Sequence, residues 1–319
     1  MTIFDSFATF QSVVNADPDQ VAEARRRRRL FERAFKSEPD VVEVVPSGSL
    51  ARGTHKDPIH DVDLIVVYDA DQHEEWGAPG ASAHDALDHA RAAVNRLLGV
   101  GAGTVDRLVR LARPRNHAVK CFLDDPEDED AFTVDVMPAL RTDRGFIIPE
   151  ALSEGWVDAD PEHLIAEAAR KHSEWSQYAG TVRMLKFWGT EQAPLKVKSL
   201  VMEVLALEHL STDLNRPAAI RNFFTAAAFR IDSGLVVEDP AHLCGPIQSD
   251  LDMDELGSRL RTASNIAIDA GAAQVANDDA RASRLWREIF GAEFPEILAA
   301  AGAAVVPDGP RTVKDSPQG

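Results

Sequence analysis

Gly48-Ser49-Leu50-Ala51-Arg52-Gly53-Thr54, followed by Asp61-Val62-Asp63-Leu64-Ile65-Val66-Val67-Tyr68, is the stretch on which the reading of the fold turns. From Val62 the run is almost wholly apolar and rich in β-branched residues, as expected of a buried central strand. Val41 to Val45 predicts a shorter strand ahead of the turn. Between the two, Gly48 lets a phosphate approach the backbone, and the Ser49 hydroxyl and the free N–H groups of a short helical turn can donate to it. Asp61 and Asp63 stand two apart at the head of the apolar run, so period-two alternation puts both carboxylates on one sheet face, roughly 7 Å apart at the backbone.

Working outward, Asp135 sits in Phe132-Thr133-Val134-Asp135-Val136-Met137, where a neighbouring strand would bring it beside the first two acids. Such a cluster repels itself and is tolerated when divalent cations neutralise it. Hard oxygen ligands favour magnesium or manganese over zinc. Aspartates also commonly end strands or cap turns. A Gly-Ser turn, an Asp-x-Asp strand and a later Val-Asp-Val strand, in that order, argue for the catalytic reading.

The rest of the chain divides in two. Pro18 to Lys36 predicts a long, mostly solvated helix with Asp17 as its N-cap, and Asp85 to Leu98 a helix whose apolar face covers the sheet. His117 to Leu123 and Ala131 to Met137 predict a hairpin with an acidic tip at Asp124 to Asp130. After Pro149 the strand signals nearly stop, and helices are expected at His163 to Tyr178, Thr181 to Trp188, Lys198 to Leu210, Ile220 to Ile231, Asp252 to Ala276 and Asp279 to Phe290. The expected organisation is an α+β catalytic lobe with a mixed sheet over residues 1–155, a helical lobe over 156–305 and a disordered tail over 306–319, with the long first helix bracing both lobes.

The formal net charge is −18, so phosphate-bearing ligands must be held by local positive charge or bound cations. Cys121 and Cys244 are the only cysteines, too few for a disulfide framework or a cysteine-rich zinc site. Neither a signal peptide nor an apolar run long enough to span a bilayer is evident, and a cytoplasmic protein with no membrane partner is expected.

The Gly-Ser turn, the acidic pair and the third acid on an adjacent strand resemble the DNA polymerase β-type nucleotidyltransferase superfamily. Val182-Arg183-Met184-Leu185-Lys186-Phe187-Trp188 and Leu195-Lys196-Val197-Lys198-Ser199-Leu200-Val201-Met202-Glu203 further resemble the two helices facing the triphosphate in bacterial cGAS/DncV-like nucleotidyltransferases, the cyclic-oligonucleotide synthases of anti-phage systems. Val134 to Ala139 with Ile148-Pro149, Glu238-Asp239-Pro240, and Trp286 to Gly291 with Phe294-Pro295 extend the likeness over nearly the whole chain.

The resemblance implies two magnesium or manganese ions. One, held by Asp61, Asp63 and Asp135, would activate the attacking hydroxyl; the other, held by Asp61 and Asp63, would orient the triphosphate. It places Gly48, Ser49, Lys186 and Ser199 at the triphosphate, assisted by Lys198. It implies nucleoside triphosphates, ATP among them, as substrates, a cyclic di- or trinucleotide as product, and an effector protein activated by that product. Another template-independent transferase, tailing tRNA or modifying a small molecule or protein, would use the same strands.

Some features stand outside this reading. Arg25 to Arg29 wrap more than one helical turn and read as a solvated helix rather than a nucleic-acid stripe. With no compact His/Cys cluster like the zinc insertion of the animal DNA sensor, activation by DNA is not expected. His55 and His60 read as turn residues, and Glu203 is left without a role. Tyr68, Tyr178, Phe223 and Phe224 are candidates for stacking a base or for the core. Gly319 ends the tail as in synthases that a partner ligase joins to targets. Base identity, ring size, linkage, activating signal and oligomeric state are not legible.

Overall fold

A computed structural model describes residues 1–99, 108–128 and 130–298. The tail expected over 306–319, with Gly319, lies outside the described residues. Seven strands form one mixed sheet: β1 (Val41–Ser47), β2 (Asp61–Tyr68), β3 (Leu111–Pro114), β4 (Val119–Phe122), β5 (Thr133–Thr142), β6 (Gly145–Glu150) and β7 (Gly155–Ala159). The order is β1-β2-β5-β4-β3, and β6 pairs with the far end of β5 and with β7. β2 and β5 run parallel, which sets Asp63 directly beside Asp135. The remaining pairings are antiparallel, including the expected β4–β5 hairpin.

The sheet divides its faces by strict alternation. Val62, Leu64, Val66 and Tyr68 turn to one side and pack with Val134 and Val136 against α2 (Pro18–Phe35) and α4 (Ser82–Leu98). Ile65 and Val67 turn to the other, where a small cluster with Val45, Ala139, Phe146 and Ile148 sits behind the acids. Asp17 caps α2 as expected, accepting from the N–H groups of Asp19 and Gln20. Arg26 and Arg27 pair with Glu23, and Arg28 with Glu32, which makes this helix the solvated surface that its charges suggest.

The helical part comprises α5 (Pro161–Glu174), α6 (Tyr178–Thr190), α7 (Ser199–His209), α8 (Arg216–Asp232), α9 (Met253–Val275) and α10 (Asp279–Phe290). Three findings correct the sequence reading. Strands β6 and β7 were not expected: β6 spans Pro149 and β7 lies in the region beyond it where strand signals nearly stop, and both are too short for alternation to mark them. The helix expected to run to Tyr178 stops at Glu174.

The third concerns the ends of the chain. Helix α1 (Ile3–Val14), closed by a Thr2–Asp5 capping box, was not foreseen and packs into the helical core rather than the sheet core. Its Phe7 and Phe10 lie edge-on or tilted against Trp286, Phe290 and Phe294. Each buried ring contributes about 1.5–3 kcal/mol. Since α2 belongs to the sheet core, the two cores are braced by α1 and α2 in succession rather than by the long helix alone. Tyr68, Tyr178, Phe223 and Phe224 are at most 2% exposed, so all four are core residues. Among the described residues no helix is long and apolar enough to cross a membrane.

Candidate active site

Strand β1 ends in a five-residue helix, α3 (Gly48–Arg52), and the geometry of that junction depends on Gly48. Its φ of +70° is costly for any residue with a Cβ, and a Cβ here would overlap the Asp63 carboxylate. The turn is therefore pressed onto the acidic strand. A cavity of about 690 Å3 opens between it and the helices, lined by Gly48, Ser49, Asp61, Asp63, Asp135 and Ser199 among others.

The parallel register makes Asp63 and Asp135 neighbours on one face, with Asp61 two residues back at the exposed head of β2. Burial, then the charges of Asp61 and Asp135, push the Asp63 carboxyl up to about 7. Burial likewise raises Asp135 to about 6, against the pull of Lys120. Asp135 Oδ1 is buried without a hydrogen-bond partner. Acids that resist ionisation and an orphaned oxygen are what a divalent cation would satisfy, so these residues fit a bound divalent metal. The donor set is all oxygen.

Opposite the acids, the helical lobe grips the turn by side chains from two helices. Glu203 of α7 is 4% exposed and accepts from Arg52 Nε at 2.8 Å, Thr54 Oγ1 at 2.6 Å and Lys186 Nζ at 2.8 Å. Burial alone would raise its pKa, but the Arg52 and Lys186 charges outweigh that and hold it down to about 2. Lys186 also donates to the Thr54 carbonyl at 3.0 Å, and Arg183 donates to the Gly53 carbonyl at 2.6 Å and to Asn15 Oδ1 at 2.8 Å.

The expected phosphate residues thus part company. Ser49 and Ser199 line the cavity, Ser199 as the first residue of α7 with that helix's free N–H groups behind it. Lys186 borders the cavity, yet it is 3% exposed and its charge is taken by Glu203. Lys198 is exposed at the N-cap of α7, where its backbone N–H donates to Gln248 Oε1, and it is not part of the cavity wall.

Sequence reasoning gave no role to several wall residues. Arg52 and Glu203 were quoted but left unassigned, since nothing in the chain shows that residues 151 apart will meet. Asn116 and His117 form a rigid pair: the Pro149 carbonyl can only accept, so His117 donates through Nδ1 and accepts from Asn116 at Nε2. His55, read as a turn residue, lines the cavity as a neutral imidazole, held down to about 4 by burial and by the Arg183, Arg25 and Lys186 charges.

Known proteins resemble this chain in sequence and in fold. Residues 28–154 match the Nucleotidyltransferase domain family. The chain is 26% identical to the cyclic AMP-AMP-AMP synthase of Escherichia coli strain MS 115-1, over 88% of this chain and 92% of that protein. Its fold is similar to that of the E. coli MS115-1 CdnC structure with ATP, with a TM-score of 0.70 and 15% identity over 91% of this chain and 98% of the other. It is also similar to the Bradyrhizobium diazoefficiens CD-NTase CdnG bound to GTP, with a TM-score of 0.63 and 13% identity over 90% and 98%.

Proposed function

We propose, for a chain that is a nucleotidyltransferase of the bacterial cGAS/DncV-like kind, that it condenses nucleoside triphosphates, ATP among them, into a cyclic di- or trinucleotide. The observation that carries this reading is the pressing of the Gly48 turn onto Asp63, which puts a phosphate cradle and the acid cluster within one cavity. The Ser49 hydroxyl and the amides of α3 and α7 orient the triphosphate of the donor. Asp61, Asp63 and Asp135 would hold two magnesium or manganese ions, which would supply charge neutralisation at the attacking and leaving oxygens. In each step the acceptor hydroxyl oxygen bonds to the donor's α-phosphorus, the bond to the β-phosphate breaks, pyrophosphate leaves and the hydroxyl proton passes to solvent. Closure of the ring repeats the same step within one molecule.

The chain's resemblance to a cyclic AMP-AMP-AMP synthase supports a messenger of this class; on this reading it is made in the cytoplasm and read by an effector protein in defence against phage. Incubation with all four labelled triphosphates and magnesium or manganese, followed by phosphatase and chromatography, tests it. A phosphatase-resistant product, lost when Asp61 is replaced by Ala, is expected. Only linear, phosphatase-sensitive products, or label carried onto added tRNA, would overturn the proposal in favour of a tailing enzyme.

A further inference from the structure

At the other end of β2 from the acid cluster, about 23 Å along the strand from Asp61, three side chains from separate elements meet. Asp40 ends the turn before β1, His73 lies in the loop after β2, and His89 is on α4. His73 Nε2 stands 3.1 Å and His89 Nε2 2.8 Å from the same oxygen, Asp40 Oδ2. The three donor atoms lie within 4.8 Å of one another.

The cluster is held in shape from several directions. Asp69 donates its backbone N–H to the Asp40 carbonyl at 2.9 Å, and Gln72 Nε2 donates to the Pro39 carbonyl at 3.3 Å, so the loop carrying His73 is tied to the residues beside Asp40. Trp76 stacks on the His73 ring at 4.0 Å. Tyr68 stands edge-on to both imidazoles, 1% exposed, with a hydroxyl that has no hydrogen-bond partner. Asp71, Glu74, Glu75 and Asp85 border the adjoining surface hollow, so the approach to His73 is acidic.

We propose that Asp40, His73 and His89 form a binding site for one zinc ion, separate from the catalytic cleft, which ties the loop after β2 and helix α4 to the start of β1. The donor chemistry decides the class of ion: two imidazole nitrogens and one carboxylate suit a borderline dication such as zinc, whereas magnesium prefers the all-oxygen aspartates of the cleft. The spacing fits as well. Tetrahedral zinc with bonds of about 2.0–2.1 Å sets neighbouring donors about 3.3 Å apart, so the nitrogens at 2.8 and 3.1 Å from Asp40 Oδ2 need move only slightly. Three protein donors leave a fourth position for water, and the side chain of His89, 40% exposed, gives the ion a way in.

The experiment uses the full chain with Asp61 and Asp63 both replaced by Ala, which removes the competing carboxylates of the cleft. After stripping with chelator, Zn2+ is titrated against a chromophoric chelator and Co2+ is added in parallel. One equivalent of zinc, an intense visible cobalt spectrum of tetrahedral type and a rise in Tm with zinc are expected. Adding His89→Ala, or Asp40→Asn as a second variant, should weaken zinc binding by about 100-fold or more and abolish the cobalt spectrum. In the otherwise natural chain His89→Ala should leave magnesium-dependent nucleotidyl transfer unchanged. Failure of the double-Ala chain to bind zinc, or zinc and cobalt signals that survive both further substitutions, would overturn the site.

Discussion

Asp63 and Glu203 are carboxylates of the same cleft that both sense the Arg52 charge, yet the fold treats them in opposite ways. Around Asp63, burial and two neighbouring aspartates push the carboxyl up to about 7. Around Glu203, Arg52 and Lys186 overcome the effect of burial and hold it down to about 2. The Glu203 cluster is satisfied: one carboxylate accepts from Arg52, Thr54 and Lys186, and it locks the helical lobe onto residues Arg52 to Thr54. The acid cluster is left short of positive charge. A cleft that must admit cations and triphosphate keeps its repulsion where the ligand will relieve it, and spends its ion pairs on holding the turn still.

Replacing one member of each cluster should separate these roles most sharply. Asp63→Ala should lower turnover by about four orders of magnitude, ~5 kcal/mol of transition-state stabilisation, while the metal-free melting temperature stays level or rises because repulsion is removed. Substantial residual turnover, or a chain that unfolds, would break the comparison.

The opposite pattern is expected from Glu203→Gln. Leaving Arg52 and Lys186 buried without their partner should cost about 3–5 kcal/mol in urea unfolding of the metal-free protein. The stability that Glu203 contributes is present above the ordinary glutamate pKa and is lost as pH falls towards about 2. A stability unchanged from that of the natural chain would show that the pair does not hold the lobes.

A further effect should come from pH alone. Because Asp63 and Asp135 are raised to about 7 and about 6, the folded state keeps protons that the unfolded chain has already lost. Their contribution therefore makes metal-free stability fall as pH rises from about 4 through about 7. Magnesium or manganese should raise Tm more at about pH 7.5 than at about pH 5; an equal rise at both would place the ions elsewhere.

Legibility in the sequence followed the range of the interactions. The apolar run of β2 and the Gly48-Ser49 turn were readable because alternation and backbone preference act over a few residues. Helix α1 was equally local: Thr2 with Asp5 and the spacing of Ile3, Phe7, Phe10 and Val14 spell a capped amphipathic helix, and that signal went unread. Strands β6 and β7 were hidden for a different reason, since such short strands take their structure from partners rather than from their own pattern.

Lys186 marks where such reading ends. Its place on a helix with one buried face followed from its neighbours, but its partner did not. The same holds for Asp40, His73 and His89, which are 33 and 49 positions apart and fall in three elements with no shared motif.

The sequence by itself determined the strands and helices flanking the turn, the acids on one face of β2 and a strand-rich half followed by helices, because periodicity and turn chemistry are properties of neighbouring residues. Only the tertiary structure decided which charges would be paired and which left open. Pairing is set by distances of about 3 Å between residues far apart in the chain, and folding, not spacing along the sequence, fixes those distances.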